Sequence, residues 1–305
     1  HFECFEADIR VRYRIDGELQ EIMKPPKKMQ AALVSRFKIL SALNIAERRV
    51  PQDGRIKMKM GKKVIDYRVS TLPTIFGEKV VLRILDKGNL TLDLEKFGIE
   101  PRAEKEIMEA VQNPYGMVLV TGPTGSGKTT TLYSCLSKVN TIDTNIMTAE
   151  DPVEFNLMGI NQVQMKESIG LNFAAALRSF LRQDPNIILV GEIRDFETAE
   201  IAVKAALTGH LVLSTLHTND ALTAIPRLLN LGIQPSILAD SLALVIAQRL
   251  CRSLCEACKV PATEPFTPLE ALFQEATRNR PGHRATGCKQ CDYTGFRGRL
   301  PIVDM

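Results

Sequence analysis

The sequence predicts an α/β protein in which a mostly parallel sheet, covered by helices, follows a smaller α+β domain. Two observations lead to this prediction. Before residue 95 the chain contains segments that alternate apolar and polar residues, as half-buried strands do. From residue 101 onward short apolar runs alternate with helical segments, which is typical of strands buried on both faces of a parallel sheet. We therefore expect two domains, at 1–95 and 96–305.

The first domain combines predicted strands with one helix. Residues 9–15 alternate apolar and charged side chains and end at Asp16-Gly17, which predicts a strand that enters a hairpin. Residues 63–70 and 79–85 show the same period. Between the first of these strands and the other two, residues 28–44 carry apolar side chains at helical spacing, and this predicts a helix.

The second domain alternates predicted helices and strands. The buried strands are expected at 116–121, 146–149, 187–190 and 211–215. The helices are expected at 103–112, 129–139, 173–181 and 198–207. This alternation stops after Arg249.

Composition excludes several classes of protein. The net charge of +4 is mildly basic and no block of Lys and Arg stands out, so we expect no nucleic-acid partner. No apolar run approaches the roughly 20 residues that span a bilayer, and there is no signal peptide, so the sequence predicts a cytosolic protein. Because the chain begins at His1 rather than at Met, we expect it to be a fragment of a longer protein.

A glycine-rich pattern, GxxxxGK[ST], lies between the strand at 116–121 and the helix at 129–139. Such a loop binds phosphate oxygens through backbone N–H groups, while Lys128 neutralises the outer phosphates and the Thr129 hydroxyl joins the shell of Mg²⁺. The helix adds its positive N-terminal end. The predicted cofactors are therefore ATP and Mg²⁺. The predicted binding residues are Gly122, Pro123, Thr124, Gly125, Ser126, Gly127, Lys128, Thr129 and Thr130.

Carboxylates follow two of the predicted strands. Glu192 comes after the strand at 187–190, and Glu150 after the strand at 146–149. Nucleotide hydrolysis needs an acidic residue to orient Mg²⁺ or the attacking water, and the carboxyl ends of parallel strands meet at one edge of a sheet. An ordinary solvated residue is the alternative for each. His217, after the fourth strand, is expected at the same edge, where a structural role is equally open.

Four of the seven cysteines form two CxxC pairs. In a reducing compartment such pairs more often bind a metal than form disulfides, and four thiolates suit tetrahedral Zn²⁺. We expect a structural zinc site, in a subdomain at about 250–295, because no ligand position remains for water. His283 is a weaker alternative ligand, and unrelated free thiols are the other alternative. The predicted ligands are Cys255, Cys258, Cys288 and Cys291.

Several longer motifs resemble those of the secretion ATPases that drive type II secretion and type IV pilus assembly. The resemblance covers essentially the whole chain. In the first domain it includes Arg-Val-Arg-Tyr-Arg-Ile-Asp-Gly at 10–17 and Ala-Glu-Arg-Arg-Val-Pro-Gln-Asp-Gly-Arg-Ile at 46–56. In the second it includes the glycine-rich loop at 122–129, Thr-Ala-Glu-Asp-Pro-Val-Glu at 148–154, and the segments at 181–195 and 208–219.

The resemblance implies a fold and an assembly. Members of this family have a PAS-like N-terminal domain joined flexibly to a RecA-like ATPase domain, and they assemble as hexameric rings. The resemblance also implies a cytoplasmic position at the inner face of the inner membrane, where the ring would act on a membrane platform protein, which the cysteine-bearing arm is thought to touch.

The resemblance further implies roles for individual residues. Glu150 would be the general base, and Glu192 would act on Mg²⁺ and water. His217 would sense the state of the nucleotide. Arg12 matches a family arginine that reaches the phosphates when the two domains close.

Two more arginines and one lysine complete the comparison with the family. Arg182 and Arg194 flank the second acidic motif and are further catalytic candidates. Lys27 stands where some members carry a second arginine, and because lysine lacks the bidentate fork we do not expect it to substitute.

Subfamily features favour a pilus extension motor. Retraction motors lack the CxxC pairs, and Gly-Ile-Asn-Gln-Val at 159–163 is closer to extension ATPases than to type II secretion ATPases. A type II secretion ATPase is the first alternative. A nucleic-acid-dependent RecA-fold motor is the second, which the absence of a basic and aromatic stripe disfavours.

Overall fold

A computed structural model describes residues 1–61, 63–85, 92–262 and 282–305. Contacts divide the chain into two compact units, His1–Leu90 and Thr91–Met305. Part of the expected connector (86–91) and Pro265, Pro268 and Pro281 of the segment between the CxxC pairs lie outside the described residues. None of the described helices combines the length and the apolar character that crossing a membrane requires.

The first unit is a six-stranded antiparallel sheet with one long helix on it. The strands run in the order β3-β2-β1-β6-β5-β4. Their bounds are β1 Phe2–Cys4, β2 Ile9–Ile15, β3 Glu18–Met23, β4 Gln52–Met60, β5 Lys63–Thr74 and β6 Gly77–Leu85, and helix α1 spans Gln30–Leu40.

A small core lies between this sheet and α1. It contains Phe2, Ile9, Val34, Ile56 and Val80, all buried. The strand predicted at 9–15 is present with those bounds. Ile9 is buried in this core and Val11 packs against it, whereas Tyr13 and Ile15 are exposed. The α+β character of this unit is as expected, and its likeness to a PAS domain stays a prediction.

The second unit contains a seven-stranded sheet in the order β15-β12-β7-β11-β10-β8-β9. These strands are β7 Gly116–Thr121, β8 Ile146–Glu150, β9 Asn161–Gln164, β10 Ile187–Val190, β11 Leu211–Leu216, β12 Leu242–Leu254 and β15 Phe296–Asp304; the two-residue strands β13 Val260–Pro261 and β14 His283–Arg284 pair separately. Among the described residues, seven α-helices accompany them: α2 Leu94–Phe97, α3 Pro101–Val111, α4 Lys128–Val139, α5 Phe173–Phe180, α6 Phe196–Leu207, α7 Ala224–Asn230 and α8 Pro235–Ser241.

Successive strand residues pack into two separate cores, one on each face of the sheet. In β10, Ile188 and Val190 join one core, while Ile187 and Leu189 join the other. The pairs from β12 through β9 are all parallel, and only β15 runs antiparallel. The predicted parallel sheet with both faces covered is thus confirmed. Its carboxyl edge gathers the residues that follow β7, β8, β10 and β11.

Candidate nucleotide site

The loop at 122–127 connects the end of β7 to the start of α4 and requires glycine at two positions. Gly122 has φ 137°, and a Cβ atom there would lie 2.3 Å from the carbonyl oxygen of Gln248. Gly127 has φ 88° in the left-handed region, immediately before α4 begins. Side chains would be excluded from the first position by contact and strained at the second by conformation. The backbone therefore follows a path that only glycine allows.

Lys128 keeps its ammonium group within this loop. Its Nζ donates hydrogen bonds to the carbonyl oxygens of Gly122, at 2.8 Å, and of Pro123, at 3.1 Å. Burial lowers the pKa of Lys128, while the nearby carboxylate of Glu192 acts to raise it. The loop thus holds a positive charge next to its backbone, where the phosphates of a nucleotide would bind.

The loop also contains a buried hydroxyl that forms no hydrogen bond with the described residues. Ser126 is 3% exposed, and its Oγ has no hydrogen-bond partner among the described residues. Thr129 is exposed and Thr130 is half-buried in the first turn of α4. An unpaired buried hydroxyl in a loop that also holds an ammonium group suits a phosphate, and an accessible threonine hydroxyl suits Mg²⁺. The residues present therefore fit ATP and Mg²⁺.

Glu192 lies two residues after β10 and binds two of the other candidates. Its Oε1 is 2.5 Å from Nη2 of Arg194, and its Oε2 is 3.2 Å from Nε2 of His217. The Glu192 side chain is only 12% exposed, whereas His217 is 54% exposed. The structure thus brings together three residues that were predicted separately from the sequence. Of these, Glu192 is close enough to Lys128 to act on its pKa.

Arg182 does not join this group in the described contacts. Its Nη1 donates a hydrogen bond of 2.7 Å to the carbonyl oxygen of Arg178, at the end of α5. Arg178 in turn pairs with Glu197. Of the two arginines that flank the acidic motif, only Arg194 contacts Glu192.

Glu150 ends β8 but its side chain enters the core. It shares a face with Ile146 and Thr148, and it is 4% exposed. Its Oε1 accepts hydrogen bonds from the Thr148 hydroxyl, at 2.5 Å, and from Nε2 of Gln162, at 3.1 Å, and its Oε2 accepts one from the Tyr133 hydroxyl. Burial raises the pKa of Tyr133, and so does the adjacent Glu150 carboxylate. Both carboxylate oxygens are engaged, and the role of Glu150 as a base stays a prediction.

Arg12 lies in the first unit and pairs with Glu3. Its Nε and Nη2 donate to the two carboxylate oxygens of Glu3, at 2.7 and 2.9 Å. Lys79 also approaches Oε1 of Glu3, at 3.0 Å. The hydrogen bonds from Arg12, aided by Lys79, lower the pKa of Glu3 to about 2. Arg12 is therefore held in a fixed, bidentate position on its own sheet.

The four cysteines of the CxxC pairs converge. Their sulfur atoms all lie within 4.8 Å of one another, and three of the separations are 3.8 to 3.9 Å. Four sulfurs at tetrahedral Zn–S distances of about 2.3 Å would be about 3.8 Å apart. The backbone N–H groups of Cys288 and Gly295 donate to Sγ of Cys291, which favours its thiolate. This set fits zinc, and His283 is not part of it.

Two polar contacts at this edge escaped the sequence analysis. Thr121 is fully buried at the end of β7, and its hydroxyl accepts a hydrogen bond of 2.9 Å from the N–H of Thr218. The hydroxyl oxygens of these two threonines are 2.6 Å apart. Gln248, in β12, contacts the glycine-rich loop. A polar residue directly after an apolar run was the signal available for each, since Thr121 follows residues 117–120 and Gln248 follows residues 242–247.

Comparisons with known proteins relate the whole chain to one family. A family model described as "Type II/IV secretion system protein" matches residues 1–305. The chain is 60% identical over 310 residues to the "Type IV pilus assembly ATPase PilB" of Myxococcus xanthus, and 50% identical over 307 residues to the "Type II secretion system protein E" of Aeromonas hydrophila. Each alignment covers 100% of this chain but only 55% and 61% of those proteins, respectively.

A solved structure shares the fold. It is the "Pilus Retraction Motor PilT and Bound ADP", with a TM-score of 0.61 and 30% sequence identity. The alignment covers 89% of this chain and 80% of that one. The similarity therefore extends over most of both chains.

Proposed function

The chain belongs to the type II/IV secretion system protein family, and we propose that it is the ATP-hydrolysing part of a motor that extends a type IV pilus. The observation that carries this proposal is the carboxylate of Glu192, held by Arg194 and His217 beside the glycine-rich loop. The identity of 60% to a pilus assembly ATPase, over the full length of this chain, supports the choice of process.

The roles of the residues in hydrolysis follow from their chemistry. The loop and Lys128 would bind the phosphates and neutralise their charge, and the Thr129 hydroxyl would hold Mg²⁺. Glu192 would orient the attacking water, with Arg194 and His217 fixing its carboxylate. Glu150 would serve as the general base, which requires one of its present hydrogen bonds to be released.

We also propose that Arg12 stabilises the charge that develops on the transferred phosphate. Arginine suits this role because its fork can bind two oxygens at once. Steady-state hydrolysis by an Arg12→Lys variant tests it, with Arg14→Lys, on the same face of β2, as the matched control. Equal turnover by the two variants would show that Arg12 has no part in the reaction.

The assembly and its setting are proposed from the family. The chain would form part of a homohexamer at the cytoplasmic face of the inner membrane, where it would act on a platform protein of the pilus machinery. Zinc bound to the four cysteines would hold the arm that follows β12 and would take no part in hydrolysis. The PAS-like unit at 1–95 and the RecA-like unit at 96–305 would be the two moving parts.

The alternative is a type II secretion ATPase, which the identity of 50% to a type II secretion protein E supports. Chimeric proteins distinguish pilus extension from type II secretion. The chain replaces its matching segment in the Myxococcus xanthus and Aeromonas hydrophila relatives, and piliation and enzyme secretion are scored in cells that lack the native gene. Restored pili without restored secretion supports the proposal, and the reverse result supports the alternative.

A nucleic-acid-dependent motor is tested by hydrolysis in the presence and absence of DNA. The proposal expects the same rate in both. Strong stimulation by DNA would overturn the assignment to a pilus motor.

A further inference from the structure

Gln248 is a buried side chain placed directly against the glycine-rich loop. Strand β12 pairs in parallel with β7, with Ala247 opposite Thr121. Gln248, one residue further, therefore lies where the chain leaves β7 and enters the loop. The residue is 1% exposed, so its carboxamide must find its hydrogen-bond partners inside the protein.

Both ends of the carboxamide are used, one on the loop and one on the helix after it. Nε2 of Gln248 donates a hydrogen bond of 2.7 Å to the carbonyl oxygen of Ser126. Oε1 accepts one of 2.6 Å from the hydroxyl of Thr131 in α4. Since a carbonyl oxygen can only accept, the amino group must face Ser126, and this settles which way the amide points.

The bond to Ser126 controls the orientation of one peptide group in the loop. In a trans peptide the C=O of Ser126 and the N–H of Gly127 point in opposite directions. Holding the carbonyl toward Gln248 therefore directs the N–H of Gly127 away from it. Gly127 has φ 88° and no side chain, so little else in the residue itself would prevent this peptide from rotating.

The orientation matters because such loops bind phosphate with N–H groups. A rotated peptide would present a carbonyl oxygen in place of an N–H and would repel an anion. The carbonyl oxygen of Gln248 also lies 2.3 Å from where a Cβ on Gly122 would be. Gln248 thus contacts the loop at its beginning through its backbone and near its end through its side chain.

We propose that Gln248 is a positioning residue for nucleotide binding, which locks the Ser126–Gly127 peptide with its N–H toward the phosphates. This rests on the proposed function of the loop as a nucleotide site. Gln248 is not a catalytic residue, since its side chain is occupied by Ser126 and Thr131.

Isothermal titration with Mg-ADP, followed by steady-state ATP hydrolysis, tests the proposal. Gln248→Met has similar length and forms neither hydrogen bond, and Gln248→Glu keeps the acceptor for Thr131 but loses the donor to Ser126. We expect the Kd for Mg-ADP and the KM for ATP to rise about tenfold in both variants, which corresponds to one lost buried hydrogen bond. We expect kcat at saturating ATP to stay within about threefold, because Glu192 is untouched.

Thr131→Val is the matched control, since it removes only the bond on the helix side. Its Kd for Mg-ADP should change by less than about threefold. A merely structural role for Gln248 would lower the Tm without nucleotide and the titration stoichiometry, while the Kd of the folded fraction stayed at the wild-type value. If one variant fails to fold, the other gives the same comparison.

The outcomes separate this inference from the function on which it rests. Wild-type protein that binds Mg-ADP, together with Gln248 variants that bind it equally tightly, overturns the role of Gln248 alone. An equal loss of affinity in Thr131→Val and Gln248→Met also overturns it. Wild-type protein that binds no nucleotide overturns both proposals.

Discussion

Nε2 of His217 lies 3.2 Å from Oε2 of Glu192, although 25 residues separate them in sequence. The register of the sheet accounts for the contact, because Val190 of β10 is paired with Ser214 of β11. Glu192 follows Val190 by two residues, and His217 follows Ser214 by three. Glu192 is nearly buried whereas His217 is about half exposed. The carboxylate is therefore fixed at the edge of the sheet, and the imidazole is the partner that has room to move.

Replacement of His217 should slow hydrolysis more than it weakens nucleotide binding. In His217→Ala we expect kcat to fall about tenfold, because Glu192 loses one of the two groups that orient it. Steady-state kinetics measures this. His210→Ala is the matched control, since His210 lies at the other end of β11, where its ring contacts the carbonyl oxygen of Ala205. Equal kcat values for the two variants would contradict the assigned role.

Variants of Glu150 and Tyr133 should distinguish an effect on the rate of hydrolysis from an effect on the stability of the fold. We expect Glu150→Gln to lower kcat by about 100-fold or more, because a carboxamide cannot act as a base. Tyr133→Phe removes a donor to the carboxylate, so it should lower the Tm by several degrees while kcat is retained. Calorimetry and kinetics on both variants check this. Wild-type turnover in Glu150→Gln would reduce Glu150 to a structural residue.

The pairing of Glu3 with Arg12 should make stability depend on pH. The pKa of Glu3 is lowered from 4.5 to about 2, so its contribution to stability is complete above pH 4.5 and is lost as the pH falls toward 2. The Tm of Glu3→Gln should therefore lie below that of the wild type at pH 6, and the gap should narrow below pH 4.5.

Calorimetry from pH 6 to pH 3 measures this gap. Glu6→Gln, at an exposed position nearby, should show a Tm close to the wild-type value at pH 6. A gap between wild type and Glu3→Gln that stays constant with pH would show that the ion pair does not stabilise the fold.

Zinc should bind at one ion per chain and stabilise the arm after β12. Cys255→Ser removes one of four ligands, so we expect zinc content to fall to near zero and the Tm to decrease. Cys251→Ser is the matched control, because Cys251 is four residues away and its thiol instead donates to the carbonyl of Leu300. Metal analysis by mass spectrometry and calorimetry test this. Full zinc content in Cys255→Ser would exclude the site.

The sequence predicted strands whose residue pattern is regular along their whole length. Strand β10 is four successive apolar residues buried on both faces, and its predicted bounds, 187–190, match the structure. Strand β12 was missed, because partly exposed and polar residues interrupt its apolar pattern. The role of Gln248 could not be predicted without it, since that role depends on the pairing of β12 with β7.

The candidate site was predictable in its residue types but not in its contacts. Glu192 and His217 follow strands, and their convergence is a consequence of a parallel sheet. Glu150 is the last residue of β8, and the burial of both faces of this strand could have indicated that its side chain is buried too. The contacts of the two Glu192 oxygens, one with Arg194 and one with His217, could not be predicted, because no spacing rule relates those three positions.

Phosphate release from Mg-ATP by Glu192→Gln tests the central claim most directly. Glu200→Gln is the matched control, since Glu200 lies on the exposed side of α6, paired with Lys204. We expect wild type and Glu200→Gln to hydrolyse ATP at the same rate. Glu192→Gln should bind ATP with a Kd within about threefold of wild type and release phosphate at least about 100-fold more slowly. Phosphate release by Glu192→Gln at the wild-type rate would contradict the account.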